Sequence, residues 1–581
     1  MKKVIDYAIL NICKYKEILE MNDYIKRHNL KFLTIIFLIS LVCTGMFYEY
    51  YSCAFGMLLS IIFLIKIKQQ KQIIWKWNAT TIFVTTMCLM YLVSCLWAVD
   101  AGMAFVGFLK FLPVFLFLIV IMQEKSSADN IMHALPYMVA TLTLVTIGAM
   151  YIPALKSTFF VAGRLAGFFQ YPNTYALLLL VAELLLIEKS NRKVADYVLF
   201  VILVAGILFT GSRTVFALAI VANIVLILAK PNKKVRLVGL IGILVLIVGI
   251  ILYALLQDGA NVLDRFLRFS VAESTFIGRI LYFADALPTI LKSPFGLGYM
   301  GYYYVQQSIQ TGLYSVMYIH NDWLQILLDI GWIPCVLFFV AFIKTLTSKK
   351  VAFGRKVILT TMFLHSCFDF NLQFIAMYFL FLLFMDFESG KEIVVKKHLH
   401  AMAGVAVMIA CICLYCGISL VLVRTGNYEA ALKIYPWNTQ AETYILTQLE
   451  DMDEAGTVAD HILERNEYVT LAYSVKARQA YSKGDFGTLI TYKNTLLEKA
   501  LFQYDEVEEY CYMLINGISL YTKAGDASSA KVCQEELLAI PDRLRQAEER
   551  LSSLGKMIKD QPTTELPEDI QTYINRLEGA N

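Results

Sequence analysis

The sequence predicts an all-α, polytopic membrane protein with a soluble helical tail, on three observations. Long apolar runs recur, among them "TIIFLISLVCTGMFY", "TTIFVTTMCLMYLVSCLW" and "LVGLIGILVLIVGIILYALL". Several reach the roughly 20 residues that a spanning helix needs. Only 17% of residues are charged and 58% are hydrophobic, with a mean hydropathy of +0.59, whereas a soluble protein carries about a quarter charged residues. Charge also divides unevenly: from Arg424 onward 16 basic residues stand against 26 acidic ones, while the rest of the chain has 35 and 21.

Residues 1–32 mix polar and apolar side chains without a small-residue cleavage site, and read as a cytoplasmic amphipathic lead-in on the membrane surface. A multi-pass domain follows at 33–423. Its thirteen expected spans lie at roughly 33–48, 52–66, 79–98, 103–122, 132–152, 172–187, 196–210, 214–229, 237–256, 322–345, 357–370, 372–387 and 402–423. Lysine and arginine gather in alternate loops: "KIKQQKQIIWKW", "QEKSSADN", "EKSNRKVADY", "KPNKKVR", "TSKKVAFGRK" and "ESGKEIVVKKHLH". The positive-inside bias puts these loops and the N-terminus in the cytoplasm. Outside then fall "AVDAG", residues 153–171, the turn at Gly211, a large loop at about 257–321, the link near Asp369 and Asn371, and the tail.

The tail, 424–581, shows faint self-similarity in "GNYEAALKIYPWN", "QAYSKGDFGTLITYKNTLLE" and "SLYTKAGDASSAKVCQEELLAIP". Gly-Asp or Gly-Asn marks each expected turn, with small residues on the next helix. Gly484-Asp485 and Gly525-Asp526 are 41 residues apart, longer than the roughly 34 of a tetratricopeptide repeat. Degenerate tetratricopeptide-like hairpins are the expectation, and such arrays bind a protein partner or cap another domain. "KDQPTTELPEDIQ" reads as a polar linker before a short helix. Most of the 12 cysteines lie in apolar runs, where the thiol packs as a small hydrophobe. Cys411, Cys413 and Cys416 sit within one apolar span and read as packing, metal binding has no support, and Cys511 and Cys533 are left as a pair that could meet.

Candidate chemistry collects on the expected outer side. In "SVMYIHNDWLQILLDIGW", Asn321 suits a helix N-cap and Asp322 the first turn. His320 then stands at the membrane boundary. It is either a general base able to accept a hydroxyl proton near neutral pH or an interfacial imidazole that only hydrogen-bonds its loop. Three arginines run against the basic-inside bias: Arg164 in "GRLAGFFQYPN", Arg213 in "TGSRT" and Arg279 in "FIGRILYFADALPTI". Each could snorkel or pair with a carboxylate; together they suit an anionic, lipid-borne substrate, holding phosphate oxygens and stabilising a leaving group. Gly296 and Gly298 in "SPFGLGYMG" allow close backbone approach to a substrate, or only a turn. Asn173 opens a span beside Arg164. Lys110 is an intramembrane cation before Pro113, and it either reaches the outer surface or joins the anion site.

The order "GRLAGFFQYPN", "GSRT", "GRILYFADAL…PFGLGY", "HNDWLQILLDIGW" and "LHSCFDFNLQFIAMYF" resembles the O-antigen ligase and polymerase superfamily over roughly residues 30 to 390. The resemblance implies a helical, GT-C-like glycosyltransferase. It would move glycan from undecaprenyl pyrophosphate to an acceptor hydroxyl outside the membrane, without a metal ion or other cofactor. It further implies His320 as base, Arg213 and Arg279 as essential pyrophosphate-handling residues, and Arg164 as a supporting one. Asn173, Asn321, Lys110, Gly296 and Gly298 complete the expected substrate-binding set. The expected partners are the lipid-linked glycan, a surface glycan or glycolipid acceptor, the bilayer, and a protein bound by the tail; no nucleic acid is expected. Ligase and repeat-unit polymerase differ only in acceptor.

Other polar residues have structural readings. His365 and Asp369, one helical turn apart, are expected to bond each other inside the bundle, and Glu183 to snorkel from an inner helix end. Arg265 and Arg268 are expected to pair with Asp258, Asp264 and Glu273. A transporter is the competing class; it predicts midplane polar residues and discontinuous helices in matching halves. A scaffold that recruits through the tail is the third.

Overall fold

The computed structural model describes residues 32–124, 127–189, 191–256 and 274–580. The lead-in up to residue 31 and the pairing expected for Arg265 and Arg268 fall outside the described residues. The described chain is helical nearly throughout. In order come α1 (Phe32–Val42), α2 (Glu49–Gln70), α3 (Ala79–Val93), α4 (Ala101–Met122), α5 (Ser127–Gly148), α6 (Pro153–Phe159) and α7 (Pro172–Glu188). Then follow α8 (Val194–Thr210), α9 (Arg213–Leu228), α10 (Lys233–Leu256), α11 (Ser274–Lys292), α12 (Gly301–Ile309), α13 (Asp322–Ile330) and α14 (Trp332–Thr347). Next are α15 (Phe353–Ser366), α16 (Ile375–Phe384) and α17 (Leu399–Arg424). The tail adds α18 (Tyr428–Ile434), α19 (Thr439–Leu446), α20 (Met452–Arg465), α21 (Thr470–Ser482), α22 (Phe486–Lys499), α23 (Tyr504–Ala524), α24 (Ala527–Leu538), α25 (Ile540–Glu549) and α26 (Glu568–Ala580).

A helix stands at each of the thirteen expected apolar segments, and the fold is that of an all-α polytopic membrane protein. Five of the described helices are long and apolar enough to cross a membrane, namely α3 with the turn after it, α5 with the turn after it, α2, α4 and α17. Two expected spans differ from a simple crossing. The segment 322–345 is broken into α13 and α14 at Gly331, whose φ of +80° only glycine adopts without strain. The α16 helix has 10 residues and rises about 15 Å, half the hydrocarbon thickness.

The described residues form two compact units. The first takes 32–84, 112–256 and 338–411. At one end of it the basic loops are tied together. Lys66 pairs with Glu124, Arg355 with Asp129, Lys189 with Asp196 at 2.8 Å, and Lys230 with Glu188 at 3.4 Å. Gly354 sits against the Glu188 carboxylate, where a Cβ has no room. The short strand β1 (Ile73–Trp77) pairs antiparallel with the last strand, β4 (Lys391–Val395), Ile73 opposite Val395. All six basic loops therefore share one side, as the charge bias requires. A second two-residue ribbon, β2 (Phe160–Val161) with β3 (Arg164–Leu165), lies between α6 and α7.

Inside this unit Glu183 does not snorkel. It is 1% exposed and accepts a hydrogen bond from Asn223 Nδ2 at 3.3 Å, because α9 supplies an amide at its depth.

The second unit takes 85–111, 274–337 and 412–580. Here the tail packs on residues expected outside. Tyr435 Oη donates to the Gly102 carbonyl at 2.8 Å, and Asn466 Nδ2 to Asp100 at 3.2 Å. The tail thus shares a side with the "AVDAG" loop. Its turns form where Gly-Asp predicts them. Gly484 and Gly525 take φ of +72° and +75°, and Asp485 and Asp526 then cap the next helices through Thr488 N and Ser529 N. Cys511 and Cys533 are buried free thiols in one core with Leu514, Leu537 and Ile574. Burial pushes the Cys511 thiol up to about 12, which keeps it protonated and inert.

Candidate active site

In the second unit, His320 stands just before Asn321, the residue that opens α13. Asn321 caps that helix, its Oδ1 accepting from Trp323 N at 3.0 Å and Leu324 N at 3.1 Å. The sharp entry puts His320 at φ +57°, a left-handed conformation uncommon for a residue with a Cβ. Such backbone persists only where surrounding structure enforces it, and it clusters at functional sites. The half-buried imidazole is neither lost in the core nor free in water.

What enforces it is a buried polar frame. Gln325 Oε1 accepts from Ile319 N at 3.1 Å, and its Nε2 donates to Asp329 at 2.8 Å; Tyr91 Oη also donates to Asp329 at 3.1 Å. Lys110, with no exposed surface, donates to Tyr299 Oη at 2.9 Å and Tyr318 Oη at 3.3 Å. The residues before His320 are thereby held from two directions. The alternative in which Lys110 reaches the outer surface does not fit this geometry. The ammonium is set behind the histidine segment.

On the other side lies α11. Arg279, Tyr282 and Asp285 recur every three residues and so share one face. The Tyr282 ring is 6.3 Å from the His320 ring and 4.5 Å from that of Tyr314. Burial pushes the Tyr282 phenol up, the Arg279 charge pulls it back, and Asp560 of the tail raises it again. Asp285 collects Thr311 N at 2.8 Å, Thr311 Oγ1 at 2.7 Å and Tyr314 Oη at 2.9 Å. Tyr282 and Asp285 were not singled out from the sequence. Their spacing from Arg279 in "GRILYFADAL" was the available signal.

Gly296 and Gly298, both at φ +81°, do bring backbone close, and what they approach is the protein itself. A Cβ on Gly296 would meet the Asp329 carbonyl group at 2.5 Å, and one on Gly298 would meet Ala98 at 2.3 Å. Leu297 N and Gly298 N donate to the carbonyls of Leu328 and Asp329 at 2.6 and 2.9 Å. This turn therefore seals the end of α13 at the Gly331 break.

The first unit brings together Arg164, Asn173 and the turn before Arg213. Arg164 Nε donates to the Thr210 carbonyl and its Nη2 to Asn173 Oδ1, each at 2.7 Å. Gly211, at φ +58°, and Ser212 then lead into Arg213, the first residue of α9. Arg164 thus anchors the turn that carries Arg213. Asn173 Nδ2 continues to Asp369 at 2.8 Å, and Tyr171 Oη donates to the same carboxylate at 2.7 Å. His365 meets Asn371 at 2.9 Å. The helical-turn spacing expected to join His365 to Asp369 does not apply, since α15 ends at Ser366.

Asp369 is 1% exposed, so Asp369→Ala should cost about 1–3 kcal/mol for each buried donor left unsatisfied. Asp369→Asn, which keeps one acceptor oxygen, should cost less. Melting of the detergent-solubilised protein measures both. An unchanged midpoint in the alanine variant would mean that this network does not hold the Arg164 corner.

Residues 198–339 match the family model described as O-antigen ligase. The matched stretch contains Arg213, Arg279, Gly296, Gly298, His320 and Asn321, and leaves out Lys110, Arg164 and Asn173. No curated protein and no solved structure matches the chain.

Proposed function

With residues 198–339 matching the family model described as O-antigen ligase, we propose that the chain is a glycosyltransferase of cell-surface polysaccharide synthesis. It moves glycan from undecaprenyl pyrophosphate to an acceptor hydroxyl at the outer face of the cytoplasmic membrane. The N-terminus is then cytoplasmic and the tail extracytoplasmic. His320 takes the acceptor proton as the hydroxyl oxygen attacks the anomeric carbon. The bond from that carbon to the pyrophosphate oxygen breaks, the configuration inverts, and lipid pyrophosphate leaves with both electrons. Arg279 and Arg213 stabilise its growing charge, Arg164 holds the Arg213 turn, and Lys110 holds the segment behind His320. No step needs a metal ion.

The observation that carries this reading is the imidazole held at φ +57°, between a buried polar frame and the helix that bears Arg279. A second reading, transport, draws on the α13–α14 break at Gly331, since discontinuous helices line transporter sites.

The test is transfer by purified protein from an undecaprenyl-pyrophosphate glycan extract of the source cell, with chelator present. Glycan should leave the lipid with the intact chain and not with folded Arg213→Ala. The new end of the product separates ligation from polymerisation. A verified donor left intact by every protein, with acceptor supplied, would favour transport.

A further inference from the structure

The end of the tail does not run free as a linker. After α25, Arg550 donates to the Ser308 carbonyl. Ser552 N donates to the Thr311 carbonyl at 3.0 Å, and the Ser552 hydroxyl lies 2.9 Å from Thr311 Oγ1, whose own proton goes to Asp285. Gly555 lies flat on the same turn. A Cβ there would stand 2.1 Å from the Thr311 carbonyl oxygen, and a Cβ on Gly312 would stand 2.9 Å from Gly555 Cα. Ile558 then closes over Ile277 and Leu281 of α11, in a cluster shared with Tyr282 and Tyr314. Earlier in the tail, just ahead of α23, Gln503 Nε2 donates to Gln307 of α12 at 3.0 Å.

These contacts converge on the segment that ends in His320. Asp285 fixes Thr311 and Tyr314 from α11, and the strap fixes Thr311 from above. The Tyr314 ring packs against that of Tyr282 at a tilt of 43°, and Tyr282 stands beside His320. The partners are 241 residues apart in the chain, and the strap lies outside the stretch that matches the family model. A tail that served only to recruit a partner would have no need of two facing glycines on this turn.

We propose that residues 550–558 are a latch that positions His320 through the 311–314 turn, so that the helical tail sets the rate of the transfer step. The latch residues touch no substrate; Ser552 and Gly555 are positioning residues. The inference rests on His320 acting as the base. A displacement of about 1 Å at a distance from the chemistry can cost up to about 100-fold in rate, and it should appear in kcat rather than in KM.

The experiment compares the full-length intact chain with Ser552→Ala, Ser552→Thr, Gly555→Val and His320→Ala in the transfer assay, using the undecaprenyl-pyrophosphate glycan extract as donor. Gly555→Val should lower kcat by about tenfold or more, and Ser552→Ala by a smaller factor, with donor KM within about twofold. Ser552→Thr, which restores the hydroxyl, should restore kcat, a rescue that a merely structural strap would not require. If Gly555→Val does not fold, the Ser552 pair decides. The latch is overturned if Ser552→Ala keeps full kcat, or if KM rises while kcat holds, with His320→Ala inactive beside it. Full activity in His320→Ala would instead overturn the reading on which the latch rests.

Discussion

His320→Ala should lower transfer by about 10²- to 10⁴-fold, the range over which a positioned general base contributes. The backbone supplies a control that separates chemistry from folding. At φ +57° a Cβ costs roughly 1–2 kcal/mol, and glycine removes that cost. His320→Gly should therefore melt no lower than His320→Ala, while both lose activity alike. A purely structural histidine predicts another pattern, in which activity follows the melting point and the glycine variant recovers it. Transfer kinetics and melting curves on the same three preparations distinguish the two. Donor KM should stay near its intact value, since the imidazole acts on the acceptor hydroxyl.

Lys493→Ala should be the most damaging single change in the tail. The ammonium is fully buried and bonds Glu506 and Glu509, each at 2.6 Å. Ser474 Oγ donates to Glu506 at 2.7 Å, and Arg478 Nε to Glu509 at 2.7 Å. Removing the lysine leaves two neighbouring carboxylates with too little positive charge, and breaking a buried pair in this way costs about 3–5 kcal/mol. Burial works to raise the Glu509 carboxyl, yet Lys493 and Arg478 outweigh it and hold it below its ordinary value. A depressed folded value adds stability above the unfolded carboxylate range, near pH 4.3. That stability is lost as pH falls through the folded value. Acid should therefore loosen the intact tail only below about pH 4, and Lys493→Ala should abolish this contribution. Hydrogen exchange over α21–α23 in the full chain measures it; protection unchanged by the substitution would show the pair to be dispensable.

The fold was largely legible because its information is local. Apolar run length placed every expected helical segment. Asn321 ahead of "DWLQILL" announced a cap, and Gly-Asp at 484 and 525 announced turns, each through chemistry within four residues. The sidedness of the loops followed from lysine and arginine counts, and the ion pairs around Glu124, Asp129 and Glu188 agree with it. What stayed hidden depends on partners distant in sequence. Lys110 reads as an exposed or anion-binding cation until Tyr299 and Tyr318 stand beside it. Asp369 reads as a partner for His365 until α15 ends one turn early. Gly331 sits in an apolar run that continues past it, so only the Pro294–Gly298 turn reveals the break. The strap at Ser552 and Gly555 has no periodicity at all.

The β1–β4 ribbon constrains how the molecule is made. Lys76 reaches the Glu388 carbonyl across 312 residues of chain. A ribosome adding about 5–20 residues per second needs roughly 15–60 s to deliver the second strand after the first. Through that interval "IIWKW" waits as an unpaired edge, the kind of segment that recruits neighbouring chains. Lys71 and Lys76 lie within reach of it and supply the charge that discourages such pairing. Closure of the ribbon is thus a late event in biogenesis, and a nascent chain halted before residue 391 carries an open clasp.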